Sequence, residues 1–195
     1  MSLTNPLDDL PITDPQAMRA LAHPVRLAVL IFLQRNGPAT ATVLAPHVGA
    51  TPSVTSWHLR HLATYGLVID APAEEVPDDR RQRWWKAVAR GFRFEPTGED
   101  DSAAAALADQ MYAAAREQAE RWMVETRPQL SLEWLRHSGL SNTTVRLTAD
   151  ELAAVAARID ELLAPFVHRT DAPDDARPVR ILRHYLPSSA PDADT

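Results

Sequence analysis

The stretch that decides the fold of this chain runs from Thr51 to Gly66 and reads TPSVTSWHLRHLATYG. Thr51 followed by Pro52 is a helix start, because a hydroxyl caps the first free amides and proline at the first helical position loses no hydrogen bond. At helical spacing, one side carries the packing residues Thr55, His58, Leu59 and Leu62. The other side carries Ser53, Ser56, Trp57, Arg60 and Thr64. The sequence therefore predicts a helix over 52–65 with one packed face and one free face.

Three further helices are predicted before this one. The first covers about 14–22, and the second, from Pro24 to Asn36, is apolar around most of its circumference and therefore central. The third is short, begins with a cap at Thr40 and ends near Gly49, only two residues before Thr51. Two helices joined by a tight turn form a helix-turn-helix.

A hairpin is predicted after the helix over 52–65. Leu67 to Ile69 is a short apolar strand, a loop rich in proline and acids follows, and Arg81 to Val88 alternates as a second strand. A hairpin after a helix-turn-helix is the element order of a winged helix. We therefore predict a winged helix-turn-helix domain over 14–95, with 70–88 as its wing, in a fold that is mainly α with a small β component.

Two motifs in this domain resemble those of ArsR-type, arsenic-repressor-like, winged helix-turn-helix regulators. The first is MRALAHPVRLAVL from Met18 to Leu30, and the second is PSVTSWHLRHL from Pro52 to Leu62, followed by YGLV from Tyr65 to Val68. The resemblance covers roughly 14–88. It implies a dimeric transcription factor, in this family a repressor, whose helix over 52–65 enters the DNA major groove. It does not extend to metal sensing, because the chain has no cysteine and the long helix predicted after the wing has no histidine.

The charge distribution suits DNA better than the formal net charge of −6 suggests. Residues 12–95 hold ten basic and seven acidic side chains, a balance of +3, so the rest carries −9. Arg60 is suited to two hydrogen bonds with guanine, and arginines of the wing are suited to phosphates or the minor groove. The predicted DNA-binding residues are Thr51, Ser53, Ser56, Trp57, Arg60, Thr64, Arg80, Arg81 and Arg83.

A long helix is predicted after a polar linker over 96–101. It covers about 102–126, and small and apolar residues at helical spacing form one seam along it. A second copy can approach this seam closely, although the seam can equally pack against its own winged helix. The predicted dimer-interface residues are Ala104, Ala108, Met111, Ala115, Ala119 and Trp122.

A strand-helix-strand unit is predicted at the C-terminal end. Thr143 to Leu147 and Val179 to Leu186 alternate as strands, and between them Thr148 with Glu151 forms the capping box of an amphipathic helix. We expect residues 102–187 to hold the dimer together. Whether this region also binds a small-molecule effector is left open by the sequence. Residues 1–13 and 188–195 are predicted to be a flexible and a disordered tail.

Several classes of protein are excluded by the composition. The absence of cysteine removes disulfides and fits a cytoplasmic protein, and no apolar run approaches the ~20 residues of a membrane span. No nucleophile elbow or glycine-rich phosphate loop is present, so we predict no catalytic residues. His58 and His61 lack a third ligand at helical spacing, so we predict no metal and no cofactor. The alternative function is a winged-helix protein-interaction module that does not bind specific DNA.

Overall fold

The computed structural model describes residues 5–77, 82–94 and 102–188. The first part contains four helices, α1 (Pro15–Leu21), α2 (Pro24–Asn36), α3 (Ala41–His47) and α4 (Pro52–Thr64). Its strands are β1 (Leu10–Ile12), β2 (Ala39–Thr40), β3 (Val68–Asp70), β4 (Trp84–Ala87) and β5 (Phe92–Phe94). Three more helices follow, α5 (Ser102–Arg121), α6 (Leu132–His137) and α7 (Ala149–Val167). The fold is mainly helical with small sheets, as predicted.

The helix starts are fixed by the capping residues that the sequence indicated. Asp14 accepts a hydrogen bond from the Gln16 amide at 2.8 Å. Thr40 and Thr51 each cap their helix by accepting from the amide three residues later, at 3.3 Å. Gly49, with φ of 64°, turns the chain between α3 and α4. The predicted helix-turn-helix is confirmed.

The wing is a small antiparallel sheet with strand order β2-β4-β3. Val68 lies opposite Ala87, and Asp70 lies opposite Trp85. The second strand is shorter than the predicted 81–88, and residues 78–81 lie outside the described part of the chain. Trp85 is 2% exposed and belongs to the core, whereas Trp84 on the opposite face is half-buried. The alternation of the two tryptophans is the one expected of a strand.

The N-terminal segment is not simply a flexible tail, and that prediction is wrong for β1. This strand pairs in parallel with β5, with Leu10 opposite Phe92 and Ile12 opposite Phe94. Leu7 and Ile12 are buried. The burial of these two side chains and the hydrogen bonds to a partner strand stabilise the ordered conformation of this segment. The local sequence, which is polar and contains proline, does not predict that conformation.

The core lies between the four helices, the wing and the first two turns of α5. The side chains that are almost wholly buried include Met18, Leu21, Leu30, Leu59 and Leu62. From α5, the core receives Ala103, Ala104 and Leu107. Ala104 is therefore part of the protomer's own core, and its assignment to a dimer seam is wrong. The reason is that α5 begins by packing on α1, which uses the first turns of the seam within one chain.

The C-terminal half follows the predicted helices and departs from the predicted strands. The α-helical part of α5 stops at Arg121, and a π-helical turn continues it to Thr126. Ser131 caps α6, and the capping box of Thr148 with Glu151 begins α7. Neither 143–147 nor 179–186, both within the described residues, forms a strand, so the predicted strand-helix-strand unit is wrong. Alternation marks an apolar face but supplies no hydrogen-bonded neighbour, which a strand also requires.

Ion pairs tie α7 to β5 and, through Arg93 of β5, to the N-terminal segment. Asp160 on α7 is 2% exposed and accepts from Arg93 of β5 at 2.6 Å and from Arg183 at 2.7 Å. Arg93 also donates to Asp9 at 2.9 Å. Burial would lower the pKa of Arg93, but the bonds to Asp160 and Asp9 outweigh burial and raise that pKa. The attachment of α7 therefore rests on charged groups.

Among the described residues, no single helix is both long and apolar enough to cross a membrane. Only α1 and α2 taken together, bent by 91° at their junction, satisfy the length and composition of a span.

Candidate nucleic-acid interface

The helix α4 is divided lengthwise into a buried face and an exposed face. Thr55, His58, Leu59 and Leu62 are buried, as the spacing predicts. Thr51, Ser53, Trp57, Arg60 and Thr64 are exposed, and Ser56 is half-exposed. The packed face fixes the helix against α2 and α3, so the other face is presented as a rigid surface.

The polar side chains of the exposed face are ordered by bonds along the helix. The Arg60 guanidinium donates to the Ser56 hydroxyl at 3.1 Å, and the Thr64 hydroxyl donates to the Arg60 carbonyl at 3.1 Å. Both bonds join residues four apart, which lie one above the other on a helix. Arg60 is thereby held along the exposed face and keeps further donors for a ligand.

Two residues of this surface were absent from the predicted set. Val54 is 46% exposed beside the predicted polar residues. His61 stacks on Trp57 with ring centroids 5.4 Å apart and an angle of 8° between the rings. The spacing of four between Trp57 and His61 is the signal that predicts this stack. Trp57 itself remains 53% exposed, so an apolar surface lies beside Arg60.

The basic residues of the wing have acidic partners. Arg83 donates to both carboxylate oxygens of Asp70, at 2.5 and 2.9 Å, and its guanidinium lies 3.9 Å from the centroid of the Trp85 ring. This bond lowers the pKa of Asp70 and raises that of Arg83. Lys86 donates to Glu75 at 2.6 Å. Arg80 and Arg81, the other predicted wing residues, lie outside the described part of the chain.

Two histidines lie behind the exposed face of α4. His58, 5% exposed, lies against His23 at the start of α2, with ring centroids 4.9 Å apart. Among the described residues, Nδ1 of His58 and Nδ1 of His23 have no hydrogen-bond partner. Burial lowers the pKa of both imidazoles. Among the described residues, no three histidine, aspartate or glutamate side chains are grouped as metal ligands would be.

The remaining seam residues of α5 are either half-buried or exposed. Ala108, Ala115 and Trp122 are half-buried, whereas Met111 and Ala119 are exposed. Nothing after Leu107 in the described chain is a buried hydrophobic side chain. The seam below the first two turns is therefore accessible from outside the protomer.

Comparison with protein families locates one known domain in the chain. A family model described as "Helix-turn-helix domain" matches residues 21–70, which extend from the end of α1 to β3. Residues 21–70 are therefore similar in sequence to helix-turn-helix domains. This match covers the surface described above on α4 and leaves the wing strand β4 and the C-terminal half outside it. No curated protein matches the chain.

Solved structures are similar to the chain at low identity. The YusO protein from Bacillus subtilis is 17% identical, with 75% of this chain and 79% of that chain covered and a TM-score of 0.33. A MarR family regulator from Neisseria meningitidis, NMB1585, is 16% identical, with 73% and 79% covered and a TM-score of 0.33. A mutant of ZitR from Lactococcus lactis in apo form is 14% identical, with 74% and 83% covered and a TM-score of 0.33.

Proposed function

We propose that this chain is a sequence-specific transcriptional regulator that binds double-stranded DNA as a homodimer. In this proposal α4 lies in the major groove, and the wing over 70–88 lies on the flanking backbone or in the minor groove. The observation that carries it is the division of α4, whose packed face fixes the helix while the opposite face presents hydroxyls, an indole and Arg60. The motifs over 18–30 and 52–68 favour the ArsR type among such regulators.

The chemistry of the exposed face suits base edges and phosphates. The major groove of B-DNA, about 12 Å wide, admits one α-helix, and a guanidinium there reads guanine through O6 and N7. The hydroxyls of Ser53, Ser56 and Thr64 suit phosphates or bases, and Trp57 with Val54 suits a thymine methyl group. Specificity then comes from Arg60 and its neighbours, and the phosphate contacts set the register.

The assignment to a homodimer is supported by the apolar surface of the C-terminal half. Sixteen of the twenty-one exposed large hydrophobic side chains in the described chain lie in 102–188, among them Val124, Leu162, Phe166 and Leu186. Large apolar side chains exposed in such number within one half of a chain are typical of a surface that a partner covers. A second copy that covers this half would bury it and place two copies of α4 about 34 Å apart, which suits an inverted-repeat operator. The same half is where a small-molecule effector would bind.

Binding measured against salt tests the DNA proposal. DNA fragments bound by the full chain are first selected from genomic DNA, and the affinity for the selected duplex and for a random duplex is then measured by fluorescence anisotropy at several salt concentrations. We expect the logarithm of the affinity to fall with the logarithm of salt by about 0.9 per neutralised phosphate. A chain that selects no sequence and binds neither duplex at low salt would contradict the proposal.

A second function, a winged-helix protein-interaction module, is favoured by one observation. Arg83 and Lys86 of the wing are bound to Asp70 and Glu75, so this part of the wing offers phosphates less free charge than its sequence suggests. Such a module would bind a protein through Trp57 and Val54, and its affinity need not depend steeply on salt. The selection experiment separates the two functions.

A further inference from the structure

The imidazoles of His58, which is buried, and of His23, which is half-buried, lie in an unusual environment behind the exposed face of α4. His23 is the residue that precedes the first turn of α2, and its side chain makes no capping hydrogen bond. His58 lies in the middle of α4, with its ring tilted by 44° to that of His23. Buried polar atoms nearly always have partners, yet Nδ1 of each ring has none among the described residues. The two rings therefore pack as neutral, nearly apolar groups at the contact between α2 and α4.

The charges around the pair disfavour protonation of either ring. For His23 the largest cause of the lowered pKa is burial, followed by the guanidinium of Arg26. For His58 it is burial, followed by His23, Arg26 and His61. Among the described residues no carboxylate acts on either ring, so a positive charge there would have no counterion from this part of the chain. Arg26 is itself held by the carbonyls of Ala20 and Arg19, so it stays beside the pair.

The other elements packed against α4 add no acid that is free to pair with these rings. Among the described residues, α1 contributes Arg19, α3 contributes His47, and β3 contributes Asp70. Asp70 is the acid of this group, and it is bound by Arg83. Among the described residues, the side chains that act on the two rings are therefore basic, chiefly Arg26 and His61, and each lowers the imidazole pKa.

We propose that the His23–His58 pair is a pH-sensitive lock that positions α4, so that acidification loosens the recognition helix and releases DNA. The neutral pair holds α4 against α2, and a proton on either ring places an unpaired charge in that contact. His58 and His23 are then positioning residues for the DNA-binding surface and touch no DNA themselves. The effect on DNA rests on the proposed function, whereas the effect on the stability of the fold does not.

The sign of the pH dependence follows from the lowered pKa values. The unfolded chain takes up a proton at each histidine near the ordinary pKa of 6.5, and the folded chain does so only at lower pH. The unfolded state therefore binds more protons just below pH 6.5, and stability is full above that pH and falls as the pH drops. Protonation of surface histidines would act in the opposite direction on DNA affinity, because added positive charge attracts phosphates.

The test uses the full chain and compares His58→Gln and His23→Gln with wild type and with His137→Gln. Glutamine keeps a polar side chain that does not titrate, and His137 is an exposed histidine on α6 that serves as the matched control. The equilibrium constant of unfolding in urea and the affinity for the selected duplex are measured at pH 7.5 and pH 5.5. The pKa of each imidazole in the wild type is measured from its NMR titration.

We expect acid to raise the unfolding constant and weaken DNA binding in wild type and in His137→Gln alike. Between pH 7.5 and pH 5.5 the unfolding constant should rise by at most about tenfold for each imidazole whose pKa is lowered, because the unfolded ring takes up its proton near pH 6.5. Each substitution in the pair should remove the contribution of the replaced ring. A His58→Gln or His23→Gln protein with the wild-type pH profile, or imidazoles that titrate at or above pH 6.5, would overturn the lock.

The remaining outcomes of the experiment also decide between the proposed lock and its failure. If His58→Gln does not fold, the profile of His23→Gln and the NMR titration of wild type decide the same question. If no duplex binds at pH 7.5, the proposed function fails while the unfolding profile still tests the lock. If DNA affinity rises in acid equally in wild type and in both variants, the lock does not act on the recognition helix.

Discussion

At the scale of single residues, Arg60 is the side chain whose loss separates specific from general DNA binding. It is exposed, lies along the free face of α4 and is oriented by its bond to Ser56. We predict that Arg60→Ala weakens binding to the selected duplex by roughly 1–3 kcal/mol and leaves binding to a random duplex nearly unchanged. Anisotropy titrations of both duplexes check this, with Arg136→Ala, an exposed arginine on α6, as the control. An equal loss on both duplexes would show that Arg60 contacts only phosphate.

For Asp70 in the wing we predict the opposite effect, a substitution that raises the affinity for DNA. Its carboxylate holds both donor groups of Arg83, although the two side chains are more than half exposed. Asp70→Asn should free Arg83 for a phosphate, raise the affinity for all duplexes and steepen the salt dependence by about 0.9. Stability should change by less than about 1 kcal/mol, because an exposed ion pair contributes little. Glu161→Gln, which removes an exposed acid of α7, is the control; an unchanged salt dependence in Asp70→Asn would place Arg83 away from the DNA.

The contrast between α4 and the wing shows which residue contacts a sequence can predict. The two faces of α4 follow from a period of 3.6 residues, and neighbours along a helix are known once its start at Thr51 is known. The Asp70–Arg83 pair joins residues thirteen positions apart across a hairpin, so it depends on the register of β3 and β4. For the same reason the sequence predicted a basic wing, whereas the basic residues of the wing that the structure describes are paired with acidic side chains.

At the scale of elements, the helices and the two strands of the wing hairpin were predictable, whereas strands that pair with a distant segment were not. Every helix of the described winged-helix part starts at a residue that the sequence marked, because caps and prolines act within one turn. The strands β1 and β5 have three residues each and owe their pairing to a partner far along the chain. The segments 143–147 and 179–186 have strand-like alternation without a partner strand in the described chain.

Gly91 provides a test of the contact between the N-terminal segment and β5, which it immediately precedes. An added Cβ would lie 2.1 Å from a carboxylate oxygen of Asp9, which also pairs with Arg93. We predict that Gly91→Ala displaces Asp9 and lowers the free energy of unfolding by about 1–3 kcal/mol, as overpacking does. In an Asp9→Ala background the same substitution should lower the free energy of unfolding much less, because the carboxylate that obstructs the new Cβ is gone. Equal costs in the two backgrounds, measured by urea unfolding, would contradict this account.

At the scale of the whole molecule, the chain consists of a half with a core and a half without one. Among the residues that the structure describes, buried hydrophobic side chains end at Leu107, and α7 is attached through Asp160 to Arg93 and Arg183. Periodicity predicted the seam on α5 but not which part of it faces the chain's own core, because that depends on how α5 meets α1. The structure assigns Ala104 to the core and leaves the later seam residues half-buried or exposed.

Ala115 tests the proposed assembly. It is half-buried on the seam, whereas Ala113, two residues earlier, is exposed and lies on another side of the helix. We predict that Ala115→Glu gives folded monomers that lose operator affinity, because a carboxylate in the interface would be desolvated without a partner. Ala113→Glu should remain dimeric. Sedimentation of both variants beside wild type checks this, and a dimeric Ala115→Glu protein with normal affinity would exclude the seam and direct attention to α7.

The parallel pairing of β1 with β5 also bears on the order in which the chain folds. Leu10 is synthesised well before its partner Phe92, which lies more than eighty residues later in the chain. Bringing such distant segments together has an entropic cost, and three residue pairs offset little of it until the helices between them have packed. We expect this pairing to form after the rate-limiting step, so that it slows unfolding and hardly affects the folding rate. The N-terminal strand then contributes kinetic stability, because it determines how long the folded domain persists once it has formed.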